Sequence, residues 1–307
     1  MPVSLQAKPF TLSAAKALKI TPDRLRSSDL RTPSRSIRVP SGGRFTIADG
    51  CRPYAELLPD AVVSHATAAQ LHGMVLPRRL AEEAVIHLSR PPGRSQTRRR
   101  HVIGHRLVLH RDEITDLGGL PVTSIARTWL DLAAMLTLEE LIIVGDQVVS
   151  EHHRSFSPRR DARVSLPDLK SFIEGKSGVA HLSKCRMALG YLRVGVDSPP
   201  ETRLRLMLGE DPHLPEFVPN VAICDVDGTP QVWVDLGCRE FRTCLEYDGA
   251  HHLTPEQQAK DHHRDLMTAE LGWVQVKISR GDLRQGAGWV QAKVRRGLTL
   301  AGWAPPL

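Results

Sequence analysis

Several common frameworks are missing from this sequence. Its five cysteines, Cys51, Cys185, Cys224, Cys238 and Cys244, are odd in number and contain no C-x-x-C pair. That usage suits neither a disulfide framework nor a zinc site, so the thiols are expected to be reduced and packed. No apolar run approaches the roughly 18 residues that a bilayer span requires. The opening MPVSLQAKPF lacks the hydrophobic core of a secretory leader. A cytoplasmic protein without membrane association is expected. What the chain does have is length and positive charge: 307 residues, 41% of them hydrophobic, suffice for two domains with a proper core in each. Lys and Arg number 41 against 34 Asp and Glu, a formal charge of +7. This balance favours a polyanionic partner such as nucleic acid, although it also serves solubility.

Along residues 11–28, TLSAAKALKI and PDRLRSS predict two short helices, the second with Thr21 as N-cap and Pro22 at its first position. With a small strand at Ile37, Arg38, Val39 and Pro40, they outline a winged-helix-like region over residues 1–52 whose second helix offers Arg24 and Arg26 to DNA. The same pattern suits an ordinary packing unit. VVSHATAAQLHG predicts a helix begun by Ser64 and closed by Gly73. His65 and His72 lie seven apart on it and, with no third ligand in view, read as packed side chains. AVIHLSR and HVIGHRLVLH are strand-like. Between them runs RPPGRSQTRRRH, with Arg90, Arg94, Arg98, Arg99 and Arg100. Clustered arginines of this kind contact a nucleic-acid backbone or simply solvate a loop. Downstream, GLPVTSIARTWLDLA resembles the G-x-x-V-T-x-x-x-R-T-x-x-D-L pattern of abortive-infection type IV antitoxin-like proteins, which pair a winged helix with an α/β module. Arg127 and Asp131 have the i, i+4 spacing of an intrahelical ion pair. Residues 151–165 are polar, basic and unpatterned, so they read as a linker with His152 and His153 solvated.

The C-terminal third carries acids in unusual places. Ser198, Pro199 and Glu201 form a capping box ahead of RLRLML. CDVDGTPQVWVDL predicts a hairpin turning at Asp227-Gly228. Val232, Val234 and Leu236 alternate with Trp233 and Asp235. On the next strand Cys244, Glu246 and Asp248 share the face opposite Thr243, Leu245 and Tyr247. Strand interiors are depleted of acids because a half-buried anion is costly unless compensated. Asp235, Glu246 and Asp248 therefore suit a hard divalent cation, Mg²⁺ or Mn²⁺, or else they face solvent. TPEQQAKDHHRDLMTAELG predicts a helix stopped at Gly272, followed by a strand with Val274, Val276 and Ile278 inward.

Taken together, Glu201, the VDL of Asp235, the run E-Y-D-G-x-x-H from Glu246 to His252, Asp261 to Arg264, and LGWVQVKISRGDL resemble a bacterial family related to the very-short-patch repair (Vsr) endonucleases. That family lies within the restriction-endonuclease-like superfamily. The resemblance implies an α/β (α+β) protein with a restriction-endonuclease-like three-layer domain at 196–307, preceded by the winged-helix-like region and an antitoxin-like α/β region at 53–195. It implies a Mg-dependent endonuclease acting on DNA. Asp235, Glu246 and Asp248 would be metal ligands, His252 the proton carrier, and Glu201 a first-helix acid facing the metal. Arg264 would reach a phosphate or steady Glu246. Against the superfamily pattern D…E-x-K, Asp248 stands at the lysine position, and His252 or Lys277 would have to compensate. Without cleavage, the same surfaces would make a DNA-binding regulator or antitoxin-like protein. A cognate toxin and the oligomeric state are left open.

Overall fold

The structure is a computed structural model that describes residues 8–154, 159–249 and 255–305, with the side chains of 255–257 also outside the description. It is a mixed α/β protein with three sheets among the described residues. The chain forms two compact units: Met1–Leu141 with Ser171–Arg186, and Ile142–Lys170 with Met187–Leu307. None of the described helices is long and apolar enough to cross a membrane.

In the first unit, β1 (Phe10–Thr11), β2 (Leu30–Arg31) and β3 (Ile37–Pro40) form a small antiparallel sheet in the order β1-β3-β2. A second sheet joins β4 (Val62–Val63), β5 (Ile86–Arg90), β6 (Val102–Arg106), β7 (Ile114–Asp116) and β8 (Pro121–Thr123) in the order β6-β5-β4-β8-β7. Ile37, Val39, Tyr54, Val63, Leu88 and Val122 fill one core that draws on both sheets. Burying these apolar faces supplies the main driving force for the unit. The two runs flanking the arginine loop are strands, as their patterning predicts, and they pair in parallel. Arg127, on the helix Ile125–Leu132, is only 3% exposed. It forms the expected pair with Asp131 at 2.9 Å and also holds Glu113 at 2.9 Å.

The second predicted helix of the N-terminal region does not form. Residues 24–26 make a single 3₁₀ turn, with the Arg24 N–H donating to Thr21 Oγ1 at 3.4 Å. So short a segment cannot repay helix nucleation, and the Arg24–Asp29 ion pair at 2.6 Å fixes a turn instead. A recognition helix bearing Arg24 and Arg26 is therefore absent.

The second unit holds the helix Pro199–Gly209, then β9 (Val218–Cys224), β10 (Pro230–Cys238), β11 (Thr243–Asp248), the helix Pro255–Glu270 and β12 (Val274–Ser279). The helices Arg280–Gln285 and Ala287–Leu300 follow. The sheet order is β12-β11-β10-β9, with β10 antiparallel to both neighbours and β12 parallel to β11. The hairpin turns at Asp225 to Thr229, where Gly228 adopts φ 80° as the Asp-Gly signal requires. Gly272, at φ 77°, stops the long helix. One core packs Leu204, Leu236, Leu245, Ile278, Val290 and Val294; another packs Val221, Ile223, Val232, Val234 and Cys244 with Met267 and Leu271. Leu236 thus joins a different core from Val232 and Val234. The simple alternation read along β10 breaks between Val234 and Leu236, opposite a stretch of β9 where Asn220 takes a left-handed φ of 55°.

Close packing of the last helix on β12 leaves no room for a methyl at Gly297, where a Cβ would stand 2.3 Å from Val276 Cγ2. Gly288 on the same helix has nothing within 4 Å. Gly297→Ala is expected to destabilise by roughly 1–3 kcal/mol through overpacking. Gly288→Ala should gain up to about 1 kcal/mol in helix propensity. Denaturant unfolding of both variants checks this opposite pair of signs.

Candidate functional site

The acids read from sequence come together at the junction of β10 and β11. The ladder between these strands runs Cys238–Thr243, Gly237–Cys244, Leu236–Leu245. One position further, the ladder gives way to a side chain: Asp235 Oδ2 accepts the Tyr247 N–H at 2.8 Å. That places Asp235 beside Glu246, the next residue along β11. On the other side of β11, Glu246 is in register with Lys277 and Asp248 with Ser279. Glu201, from the first turn of the helix Pro199–Gly209, is 6% exposed. Its carboxyl accepts the Asp197 N–H at 2.8 Å and the Ser198 hydroxyl at 2.6 Å. The capping role expected for Glu201 is therefore present, displaced by one residue toward Asp197.

Electrostatically Asp235 acts on both other acids. Burial, followed by the charge of Asp235, pushes Glu201 up to about 7. The same two causes push Glu246 up to about 8, against the pull of Arg264. Asp235 is also raised, by burial, and its hydrogen bond from Tyr247 offsets part of that rise. Among the described residues one guanidinium touches the group: Arg264, on the helix Pro255–Glu270, pairs with Glu246 and donates to Trp233 O at 3.2 Å. Of the two roles read for Arg264, steadying Glu246 is the one the geometry displays. A cavity of about 290 Å³ opens beside them, lined by Glu246, Asp248, Asp261, Arg264, Asp265 and Lys277. Glu246 and Asp248 share this face, as the strand period predicts. Asp248 is exposed at the strand end, while Asp235 and Glu201 lie outside the cavity lining. Lys277 is engaged with Asp265. His252 lies outside the described residues.

The arginines are less free than their clustering suggests. Arg24 is tied to Asp29, and Arg26 lies 3.5 Å from Asp23. Arg90 and Arg94 both hold Asp60. Arg99 donates to Arg35 O at 2.7 Å. Arg98 and Arg100 are exposed and form no ion pair among the described residues. They share with Arg35, Arg90 and Arg99 the lining of a cavity of about 410 Å³. The buried Thr97 Oγ1, which has no hydrogen-bond partner, belongs to a residue of the same lining.

Two groupings are not legible in the sequence pattern. Asp197 collects His152 at 3.1 Å, Arg154 at 2.6 Å and Arg160 at 2.8 Å. The segment read as a solvated linker is thereby docked, and His152 is not a solvated histidine. The other grouping is His65, His87 and His105, whose donor atoms all lie within 4.8 Å of one another; among the described residues Asp235, Glu246 and Asp248 make no such group of three. The sequence signal for it is limited to His87 in the first strand-like run beside the arginine loop and to His101, His105 and His110 in the second, with nothing to single out His105. Burial holds all three imidazoles below their ordinary value, His65 at about 2 and His105 at about 4.

Fold and site thus define a mixed α/β protein with a buried carboxylate cluster in one unit and an arginine-lined cavity in the other. No protein-family model, curated protein or solved structure matches the chain.

An acid with a raised folded pKa holds its proton more tightly when folded, so the stability it contributes is full below its unfolded value and is lost as pH rises through the folded value. For Glu246 that window runs from 4.5 to about 8. Asp235→Asn removes a shared cause of the rises in Glu246 and Glu201. In chelator, the melting temperature of this variant minus that of the wild type should climb between about pH 5 and pH 8. A pH-independent difference would show that the acids do not interact.

Proposed function

We propose that the second unit is a divalent-metal-dependent endonuclease that hydrolyses phosphodiester bonds of DNA, and that the first unit binds the DNA backbone. The observation that carries this reading is the cluster of Glu201, Asp235 and Glu246, three acids raised first by burial, with the charge of Asp235 raising the other two further and, among the described residues, one arginine in contact. Such a donor set suits a hard cation, because carboxylate oxygens favour Mg²⁺ or Mn²⁺. The order of elements supports it too. A helix, three antiparallel strands, a crossover helix and a parallel fourth strand, with helices packed into cores on the sheet, agree with the restriction-endonuclease-like, Vsr-related domain that the motifs resemble.

In this reading Asp235 and Glu246 hold the ion, Asp248 joins from the exposed strand end, and Glu201 stiffens the cluster from its helix cap. The bound ion would polarise a phosphodiester oxygen and lower the pKa of a water. Arg264 keeps Glu246 oriented. Lys277, across from Glu246 in register, places a cation on the cavity wall where a phosphate would sit. His252 carries the proton, since an imidazole titrates near the pH of the reaction. Arg98 and Arg100, with Arg99 held to the Arg35 carbonyl, present positive charge to phosphates. The place of action is the cytoplasm.

One observation favours a second reading. Arg264 already supplies Glu246 with an internal counter-ion, as it would in a non-cleaving, DNA-binding regulator of antitoxin-like type.

Nicking of supercoiled DNA in Mg²⁺ or Mn²⁺ separates the two. Wild type should cut, Asp235→Asn and Glu246→Gln should not, and His252→Ala should retain cleavage slowed ~10²- to 10⁴-fold. Wild type that binds DNA but never cuts would end the nuclease reading and leave the regulator. For the first unit, Arg98→Ala with Arg100→Ala should reduce the slope of log K against log salt by about 1.8, two phosphate contacts' worth. An unchanged slope would remove the loop from the interface.

A further inference from the structure

We propose that His65, His87 and His105 form a binding site for a late first-row divalent metal ion, with Zn²⁺ the ion expected. This site lies wholly in the first unit and is independent of the carboxylate cluster. Three backbone segments bring the rings together: His65 is the first residue of the helix His65–Leu71, and His87 and His105 lie on the paired strands β5 and β6. Because β6 runs parallel to β5 with His105 opposite Ser89, His105 falls on the same face of the sheet as His87, two residues along. His65 and His87 are 6% and 2% exposed, whereas His105 is half-buried and opens the group toward solvent.

Each of the first two rings has a partner on the nitrogen turned away from the group. Glu83 Oε2 lies 3.2 Å from His87 Nε2, and Ser64 Oγ lies 2.9 Å from His65 Nδ1. The Ser64 hydroxyl oxygen also accepts from Ser89 at 2.6 Å. If His87 donates its Nε2 proton to Glu83 and His65 donates its Nδ1 proton to Ser64, the lone pairs of His87 Nδ1 and His65 Nε2 are free for a metal. A carboxylate or hydroxyl partner of this kind fixes the tautomer of metal-binding histidines and raises their basicity. His87 Nδ1 and His105 Nε2 are 2.9 Å apart, a hydrogen bond that needs one proton between them. Moving that proton to His105 Nδ1 exposes the third lone pair with no net proton loss.

The geometry requires a modest adjustment. Zn–N bonds of about 2.0–2.1 Å at tetrahedral angles put nitrogen donors about 3.3 Å apart, a few tenths of an ångström wider than the His87–His105 contact. The His65 and His105 rings, now stacked with centroids 3.6 Å apart, must fan so that their nitrogens converge. The half-buried His105 is the ring free to turn. His65 itself sits at φ 52°, in the left-handed region that a non-glycine residue rarely occupies. Conformations of this kind cluster where a side chain must be aimed. Three imidazoles with a solvent-facing side leave a fourth position for water or a small ligand, and imidazole donors select Zn²⁺, Cu²⁺ or Ni²⁺ over Mg²⁺.

The test uses untagged, metal-stripped full-length protein and Co²⁺ as an optical probe. The expected result is a 1:1 complex with the visible absorption of a tetrahedral centre, displaced by Zn²⁺ and unaffected by excess Mg²⁺. His87→Ala and His105→Ala should abolish it, and the exposed His153→Ala should not. Glu83→Gln should weaken Zn²⁺ binding roughly 10- to 100-fold. If His87→Ala does not fold, His105→Gln at the half-buried position carries the same comparison. A wild type without the Co²⁺ band, or a band that persists when His105 is replaced, would overturn the proposal and leave a hydrogen-bonded histidine stack. Because the readout is metal binding alone, this outcome is separate from success or failure of DNA cleavage.

Discussion

Charge removed from water has to be answered by other charges or by hydrogen bonds, and several buried acids among the described residues have a cation in direct contact. Asp146, fully buried, accepts from Arg205 at 2.7 Å, Thr202 at 2.9 Å and the Arg193 N–H at 2.8 Å. Asp197 has His152, Arg154 and Arg160. Glu113 has Arg127 and Lys176, each at 2.9 Å. Such networks recover much of the desolvation cost, and removing a partner from one typically costs about 3–5 kcal/mol. The β10–β11 junction is built differently: among the described residues, Arg264 contacts Glu246 and no cation contacts Glu201 or Asp235 directly. Further compensation among the described residues is a backbone N–H to Asp235 with the more distant charges of Arg264 and Arg154, and a second N–H and a hydroxyl to Glu201. Burial holds all three acids above their ordinary range, as it does the arginine-paired Asp131 and Asp146. Among the described residues these three acids have one arginine contact between them, whereas Asp146, Asp197 and Glu113 each have at least one cation of their own.

The first unit has the complementary imbalance. Arg35, Arg90, Arg98, Arg99 and Arg100 line one cavity, and among the described residues Asp60 is the one acid in contact with any of them, the other partners being backbone carbonyls and the Ser34 hydroxyl. An excess of guanidinium around a concave surface suits phosphate, in the same way that an excess of carboxylate suits a metal. The histidine group stands apart from both, since its donors are neutral and soft enough to prefer a different class of ion.

Much of this was legible locally. The alternation around Glu246 and Asp248, the Asp-Gly turn at 227–228 and the stop at Gly272 follow from rules that span a few residues, and the structure obeys them. Arg127 and Asp131 form the predicted i, i+4 pair. Failures came where partners are far apart in sequence. Asp29 turns Arg24 away from any helix face, and Arg35 takes Arg99 from 64 residues away. His65 is packed, as expected, but its companions His87 and His105 are supplied by two strands whose parallel pairing no local pattern announces. On β10 the alternation of Val232, Val234 and Leu236 was sound for the first two residues only, because the break opposite Asn220 is a property of the pair and not of the strand.

The central claim is that the shortage of positive charge at Glu201, Asp235 and Glu246 is met by a hard divalent cation, and Mn²⁺ reports on this directly because its free form has a strong EPR signal. Titrating metal-stripped protein with Mn²⁺ should remove about one ion per chain from the free signal, as a carboxylate site of this kind requires. Asp235→Asn should abolish that binding. His105→Ala should leave it intact, because Mn²⁺ is among the weakest binders of imidazole sites. A free Mn²⁺ signal that follows the same curve with wild type, with Asp235→Asn and without protein would contradict the account.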